Sequence, residues 1–176
     1  FSVDYFGKEA FLSQSPQVYK QMLVLSGLEK VYEIGPVFRA EKSHTTRHLT
    51  EFTGIDFEMG FIKDENDIMD VIEQFIKYLL KEVKENCKDE LNVLNLNVEV
   101  PKKIPRISLE EAKKLLEKKG KKLKENDDPD PESEKLIGEI VKDKYGSDFV
   151  FLTMYPWEKR PFYHMRPDNN KKVTKS

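Results

Sequence analysis

Alternating hydrophobic and polar positions predict strands in the first third of the chain. Residues 2–12 form a strand or hairpin of mixed pattern, and residues 31–41 and 51–61 form two strands separated by a basic, polar loop. Successive side chains of a strand lie on opposite faces, so each strand has two distinct sides. The two longer segments are expected to pair as a hairpin.

A first amphipathic helix is predicted between these strand segments. Ser15 is the expected N-cap, Pro16 the first helical residue, and Gly27 follows the end. Helical spacing places three apolar side chains on its buried stripe. They are Val18, Met22 and Leu25.

Helical periodicity also dominates the second half of the chain. A long helix follows the cap Asp64, a capping box of Ser108 and Glu111 starts another that ends at Gly120, and residues 133–146 form a third. The remaining predicted elements are a possible strand at 91–100 within an irregular segment at 88–107, and an apolar strand at 148–156. The apolar stripe of the long helix is Ile68, Val71, Ile72, Phe75, Leu79 and Val83. This order predicts an α+β fold, an antiparallel β-sheet flanked by helices.

Composition fits a globular protein with a charged surface. The chain has 176 residues, 38% hydrophobic and 35% charged, and no apolar run long enough to span a bilayer. The first residues lack the pattern of a signal peptide. Cys87 is the single cysteine, which excludes an internal disulfide and a cysteine-built zinc site. We therefore expect a cytoplasmic protein that does not contact membranes.

The net charge of −2 argues against a basic coat that covers the whole protein. Basic residues nevertheless gather in the loop after residue 41, at 113–124 and at 159–175. The run at 113–124 alternates with Glu at helical spacing, so it is expected to be a solvated helix face. Trp157, Phe162 and Tyr163 are expected to be packing or surface anchors.

Charged residues interrupt the two longer strands. Alternation places Arg39 and Glu41 on one face of the first strand. On the second strand, the polar face consists of Phe52, Gly54, Asp56 and Glu58. Two interpretations remain open from this pattern alone: an ion-paired face exposed to water, or a surface that holds a charged ligand.

The upstream helix favours a ligand surface. Gln17 and Lys20 are three residues apart and project from the same side of its first turn. An amide and an ammonium near a helix N-terminus suit a carboxylate or a phosphate.

Several segments together resemble one enzyme family. "FRAE", a loop and "RHLTEF" resemble motif 2 of the class II aminoacyl-tRNA synthetases. "SQSPQVYKQM", "TRHLTEFTGIDFEM" and "YPWEKRPFYHM" resemble the aspartate-specific synthetases of the archaeal and eukaryotic type. The related asparagine enzymes have "SGQLY" and "EPE" where this chain has "SPQVYK" and "DFE". Lys20 favours a substrate carboxylate, because an asparagine amide would leave its ammonium without a counter-charge.

This resemblance implies ATP-dependent activation of L-aspartate to aspartyl-adenylate, followed by transfer to the 3′ end of tRNA(Asp). ATP and Mg²⁺ are the implied cofactors, and the full-length enzyme is expected to be a homodimer. Residues 1–176 would be part of the catalytic domain, with motif 2 at 31–61 and a helical or irregular insertion at about 86–147. The anticodon-binding domain, motif 1, motif 3 and the metal ligands would lie outside this chain, which we expect to be a piece of a longer polypeptide, inactive alone.

The resemblance also implies roles for individual residues. Arg39 would be catalytic, joining the substrate carboxylate to the α-phosphate, and Gln17, Lys20 and Asp56 would bind aspartate. Asp56 would accept the α-ammonium or hold Lys20 through a salt link. The remaining implied ATP contacts are Glu41 to the adenine amino group, Phe52 to the adenine ring, and Arg47, His48 and the backbone at Leu49 to the outer phosphates. Ser43 and Thr45 would meet the tRNA acceptor end.

Two other functions are compatible with these residues. An asparagine synthetase of the same descent would activate aspartate in the same way and pass it to ammonia. A non-catalytic module would keep the fold only to bind tRNA or a protein. The loop "EKSHTTRH" favours the synthetase over the first, and the presence of Lys20, Arg39 and Phe52 favours it over the second.

Overall fold

The chain divides into two units, Phe1–Ile62 and Lys63–Ser176. The computed structural model describes residues 1–42, 45, 48–124 and 127–176. Over these residues the strands form three separate two-stranded sheets. The α+β class is confirmed. The prediction of one sheet flanked by helices differs from the structure, in which the described residues form three small sheets.

The first unit contains two hairpins and one helix. β1 (Ser2–Tyr5) and β2 (Lys8–Phe11) pair antiparallel, which confirms the hairpin predicted at 2–12. They are joined by Phe6 and Gly7, whose positive φ angles of 50° and 75° suit a tight hairpin turn. Helix α1 (Gln17–Leu25) precedes the antiparallel pair of β3 (Lys30–Phe38) and β4 (Glu51–Met59).

Helix α1 differs from its prediction at its start and in its buried face. Pro16 is the N-cap, and the Ser15 hydroxyl accepts a hydrogen bond from the Gln17 N–H (3.2 Å). Pro16 and Lys20 are buried, four residues apart on one side. The β4 side chains that face this helix are acidic, and they pair with Lys20. The helix is therefore oriented with Lys20, and not its apolar stripe, toward the strands. The stripe predicted to be buried is exposed: Val18 by 65%, Met22 by 61% and Leu25 by 81%.

Helices dominate the second unit. α2 (Glu65–Asn86) begins after the predicted cap Asp64, whose carboxylate accepts a hydrogen bond from the Asn66 N–H (2.8 Å). The further described helices are α3 (Lys88–Leu94), α4 (Leu109–Lys118) and α5 (Pro131–Tyr145). None of the helices in the described part of the chain is long and apolar enough to cross a membrane.

The core of the second unit lies between α4, α5 and a short pair of strands. Ser108 caps α4 as predicted, and its hydroxyl accepts a hydrogen bond from the Glu111 N–H (3.1 Å). Apolar side chains from both helices and from the strand before α4 are almost fully buried. They are Ile107, Ala112, Leu116, Ile137, Ile140 and Val141.

Three expectations for this unit are wrong. β5 (Arg106–Ser108) and β6 (Phe151–Thr153) are parallel, because the helical crossover between them returns the chain in the same direction. Residues 91–94 belong to α3, which ends at Asn95 with a φ of +50°, so the segment 91–100 is not a strand. On α2 the most buried side chains are Met69 and Glu73, while the predicted core residues Phe75 and Leu79 are 41% and 44% exposed.

The buried Glu73 carboxylate makes the stability of this unit pH-dependent. The hydrogen bond from the Lys77 ammonium (2.6 Å) holds the pKa of Glu73 below its ordinary value of 4.5. A lowered folded-state pKa stabilises the fold above the unfolded pKa, and this contribution is lost as pH falls through the folded value. We expect the stability difference between the protein and its Glu73→Gln variant to shrink between about pH 6 and about pH 3. Urea unfolding at several pH values measures it, and a constant difference would contradict the prediction.

Candidate active site on the hairpin face

The β3–β4 hairpin gathers the predicted polar residues on one side. Its register places Glu33 opposite Asp56, and the ladder continues to Arg39, whose N–H donates to the Thr50 carbonyl (2.9 Å). Because directly opposed residues share a face, Phe52, Gly54, Asp56 and Glu58 lie on one side as predicted, and Arg39 continues that side, whereas Glu41 lies beyond the paired residues. We call this surface the hairpin face; it consists of Val31, Glu33, Gly35, Val37 and Arg39 from the first strand and its extension, and Phe52, Gly54, Asp56 and Glu58 from the second.

Helix α1 places a buried ammonium against the hairpin face. Lys20 is 2% exposed, and its Nζ forms a salt bridge with the Asp56 carboxylate. The same Nζ lies 3.7 Å from Glu58 Oε2 and donates to the Phe57 carbonyl (3.3 Å). Gln17 lies one turn earlier, and its Nε2 donates to Glu58 Oε2 (3.0 Å). Of the two roles considered for Asp56, the structure therefore contains the salt link to Lys20.

This arrangement surrounds one buried cation with two anions. Burying an ammonium is costly unless it is paired and hydrogen-bonded, and Lys20 meets both conditions. The Asp56 and Glu58 side chains remain 42% and 29% exposed, so both acids are open to solvent. The cluster is therefore both internally stabilised and accessible to a polar ligand.

A cavity of about 310 Å³ lies on the hairpin face. Gly35 and Gly54 oppose each other across the two strands, so no side chain fills the middle of this face. A Cβ on Gly54 would lie 3.3 Å from Val37 Cγ2, closer than an ordinary contact. The cavity is lined by Ser13, Pro16, Glu33, Gly35, Pro36, Val37, Arg39, Phe52, Thr53, Gly54, Ile55 and Asp56.

Arg39 and Phe52 form a stacked pair at this cavity. The guanidinium carbon of Arg39 lies 5.3 Å from the centroid of the Phe52 ring, within the range of a cation–π contact. Among the described residues, Arg39 has no carboxylate partner. Its planar donors are therefore available to an anionic ligand, and the aromatic ring offers a surface for a second planar group.

Of the predicted loop residues that the structure describes, none lines this cavity. Glu41 is exposed, and its N–H donates to the Arg39 carbonyl (3.0 Å). The Thr45 hydroxyl and His48 Nδ1 are 2.6 Å apart and hydrogen-bonded, and Leu49 is 58% exposed. The remaining two predicted loop residues, Ser43 and Arg47, lie outside the described residues.

A magnesium site is not formed by these residues. Within the described ranges, no three His, Cys, Asp or Glu side chains come together as a group that could hold a metal ion. Two acids of the hairpin face, Asp56 and Glu58, already have Lys20 as an ionic partner.

Comparison with known proteins assigns the chain to a family. The family model of class II tRNA synthetases (D, K and N) matches residues 1–176. The chain belongs to this family. It is 48% identical over its whole length to the Aspartate--tRNA(Asp/Asn) ligase of Aeropyrum pernix, of which it covers 40%.

Solved structures agree with the assignment to the class II synthetases. The aspartyl-tRNA synthetase of Entamoeba histolytica aligns with a TM-score of 0.85 and 36% identity, over 93% of this chain and 35% of that protein. The asparaginyl-tRNA synthetase of Pyrococcus horikoshii, solved with asparaginyl-adenylate, aligns with a TM-score of 0.81 and 34% identity, over 99% of this chain and 39% of that one. The chain thus spans about 40% of the length of its curated relatives.

One residue of this class II synthetase site was missed from the sequence. Glu33 lines the cavity directly opposite Asp56, and it has no hydrogen-bond or salt-bridge partner among the described residues. The available signal was strand alternation: counting back by twos from Arg39 leads through Val37 and Gly35 to Glu33. The predicted polar face included only Arg39 and Glu41 from the first strand.

Proposed function

We propose that this chain is part of the catalytic core of an aspartate–tRNA ligase. In the first step, an α-carboxylate oxygen of L-aspartate attacks the α-phosphorus of ATP. A new P–O bond forms, the bond to the β-phosphate oxygen breaks, and aspartyl-adenylate and pyrophosphate result. In the second step, a hydroxyl of the 3′-terminal adenosine of tRNA attacks the aspartyl carbonyl carbon, and AMP leaves.

The observation that carries this proposal is the buried Lys20 ammonium. It lies against Asp56 and Glu58 of the hairpin face, which also carries Arg39 and Phe52. Although Asp56 and Glu58 already balance its charge, this ammonium would give an aspartate carboxylate a charge-assisted hydrogen bond between two ions, which the neutral asparagine amide cannot match. The names of the curated relatives support the same substrate.

Arg39 is the group proposed to stabilise the transition state. Negative charge grows on the α-phosphate oxygens while the two anionic reactants approach, and a guanidinium can contact both of them through parallel donors. No protein nucleophile is needed, because the substrate carboxylate attacks directly. Catalysis then depends on positioning and on charge neutralisation.

The aromatic part of the site is proposed to hold the nucleotide base. Phe52 offers a ring face beside the gap at Gly35 and Gly54, and a planar adenine fits such a slot. Glu41 would accept from the adenine amino group, and Arg47, His48 and the backbone at Leu49 would contact the outer phosphates. Ser43 and Thr45 would meet the tRNA. Mg²⁺ would enter bound to the ATP phosphates.

The whole protein is proposed to act as a cytoplasmic homodimer on L-aspartate and tRNA(Asp). These statements rest on the family assignment and on the names of the relatives, all of which are longer than this chain. Three relatives are named for both tRNA(Asp) and tRNA(Asn), so both tRNAs belong in the test.

A charging assay tests the proposal. The longest natural chain that contains these residues is incubated with ATP, labelled aspartate and either tRNA, or with ammonia instead of tRNA. Label on tRNA(Asp), with no free asparagine formed from ammonia, is the expected result. Asparagine formation without tRNA would support the ammonia-dependent enzyme instead, and no product in either reaction would contradict both.

A further inference from the structure

Glu58 joins the two polar side chains that α1 contributes to the site. Its Oε2 atom accepts a hydrogen bond from Gln17 Nε2 (3.0 Å) and lies 3.7 Å from Lys20 Nζ. Gln17 and Lys20 belong to the start of α1, and Glu58 lies near the end of β4. A single carboxylate oxygen is therefore shared by the amide and the ammonium.

The contact with Glu58 determines the orientation of the Gln17 amide. An ionised carboxylate only accepts hydrogen bonds, so the end of the amide that faces Glu58 must be its NH₂ group. The carbonyl oxygen Oε1 then points away from Glu58. Within the described part of the chain, Gln17 uses its backbone N–H for Ser15 and its Nε2 for Glu58, and Oε1 is left as an acceptor.

Lys20 contributes a donor beside this acceptor. Its ammonium has three N–H groups, of which one is used by the Asp56 carboxylate and one by the Phe57 carbonyl (3.3 Å). Glu58 Oε2, at 3.7 Å, is close enough to stabilise the charge but too far for a hydrogen bond. The start of α1 therefore presents one acceptor and one donor of fixed positions.

We propose that Glu58 is a positioning residue that holds the Gln17 carbonyl oxygen toward the amino-acid substrate. This inference rests on the proposed function, in which the substrate is L-aspartate. The α-ammonium group is the donor of that molecule and its carboxylates are acceptors, so the Gln17 oxygen matches the ammonium and Lys20 matches a carboxylate. A neutral amide at position 58 would accept either orientation of Gln17, whereas a carboxylate permits one.

Glu58→Gln tests this role, because it keeps the size of the side chain and removes the constraint on Gln17. The assay is ATP–pyrophosphate exchange by the longest natural chain, which reports the first step and needs no tRNA. KM for aspartate is expected to rise about tenfold, with kcat within about threefold, since a hydrogen bond to a charged group is lost equally from the ground and transition states. KM for ATP is expected to stay unchanged.

A double-mutant cycle shows whether Glu58 acts through Gln17. Gln17→Ala alone is expected to raise KM for aspartate by about as much, and adding Glu58→Gln to it is expected to change KM by less than about twofold. A further rise of about tenfold in the Gln17→Ala background would show that Glu58 acts through Lys20 or on the substrate, and would overturn the proposal.

Two further variants separate positioning from folding. Glu51→Gln is the matched control, an exposed acid of the same strand whose side chain alternation places on the opposite face, and it is expected to leave both KM values unchanged. Glu58→Asp keeps the charge beside Lys20 but shortens the side chain, so it is expected to raise KM for aspartate as Glu58→Gln does. A fall in kcat with a higher KM for ATP would indicate a distorted site and would overturn the positioning role.

The same assay distinguishes failure of this inference from failure of the proposed function. Absence of aspartate-dependent exchange in the unaltered protein would count against the proposed function itself. Exchange by the unaltered protein, with KM for aspartate unchanged in Glu58→Gln and Glu58→Asp, would overturn only the role given to Glu58.

Discussion

Replacing Lys20 by methionine is expected to abolish aspartate activation, with the rate of ATP–pyrophosphate exchange falling by about 10²–10³-fold. The variant keeps the length of the side chain but removes the charge, and it leaves Asp56 and Glu58 facing each other without a cation. Truncating one partner of a buried, hydrogen-bonded charge pair between a protein and its ligand costs about 2–5 kcal/mol of binding, and a loss of about 3–4 kcal/mol corresponds to this fall in rate. Exchange with saturating ATP and varied aspartate measures the effect.

Two further variants separate the loss of a substrate contact from a loss of folding. Lys20→Met with Asp56→Asn removes the uncompensated charge, so it is expected to recover the stability of the protein without recovering exchange. Lys30→Met, at an exposed lysine of β3, is the matched control for removing one ammonium from this unit. Exchange by Lys20→Met within about threefold of the unaltered rate would contradict the role of Lys20, because such a change is below 1 kcal/mol.

Replacing Arg39 by lysine is expected to lower kcat for exchange by about 10²–10³-fold, the usual cost of losing one preorganised donor to a developing oxyanion. Lysine keeps the positive charge but has no planar fork, and it cannot contact a carboxylate and a phosphate through parallel donors. Because the contact seen for the Arg39 side chain within the described residues is the Phe52 ring, little change in the free energy of unfolding is expected.

Arg160→Lys is the matched control for this change. Its guanidinium carbon also lies over an aromatic ring, that of Tyr155, at 4.2 Å, but it belongs to the second unit and is paired with Asp128. It is expected to leave kcat for exchange unchanged. A kcat reduced equally in both variants would show that the loss comes from an altered fold, and an unchanged kcat in Arg39→Lys would remove Arg39 from the chemistry.

The grouping of the site residues could be predicted because it depends on strand alternation. Phe52, Gly54, Asp56 and Glu58 share a face in any regular strand, and the register then adds Arg39. The family resemblance supplied the roles, which no alternation rule can provide. Glu33 follows from the same rule, since counting back by twos from Arg39 along the first strand leads to it.

The orientation of α1 could not be predicted from its own sequence. Val18, Met22 and Leu25 form a better apolar stripe than the side that contains Lys20, so periodicity favours the wrong face. What decides the orientation is a partner more than thirty residues away, the acidic face of β4, which only the tertiary structure brings close. A buried lysine is recognisable only once its counter-charges are in place.

The sequence also does not determine the relative direction of β5 and β6 or the structure of residues 91–100. Three-residue strands carry almost no periodic signal, and whether two such strands run parallel depends on the crossover between them. The alternating Leu, Asn and Val at 91–98 is compatible with a strand or with the last turn of a helix. Asn95 accommodates a positive φ, and this ends α3 there.

The most direct test of the account is aspartate-dependent ATP–pyrophosphate exchange by the longest natural chain that contains this segment, with asparagine as the competing substrate. We expect exchange with aspartate, none with asparagine, and loss of the activity in Lys20→Met and Arg39→Lys. Exchange that is equally fast with asparagine would contradict the role given to the buried ammonium. No exchange from a chain that binds ATP would contradict the hairpin face as an activation site.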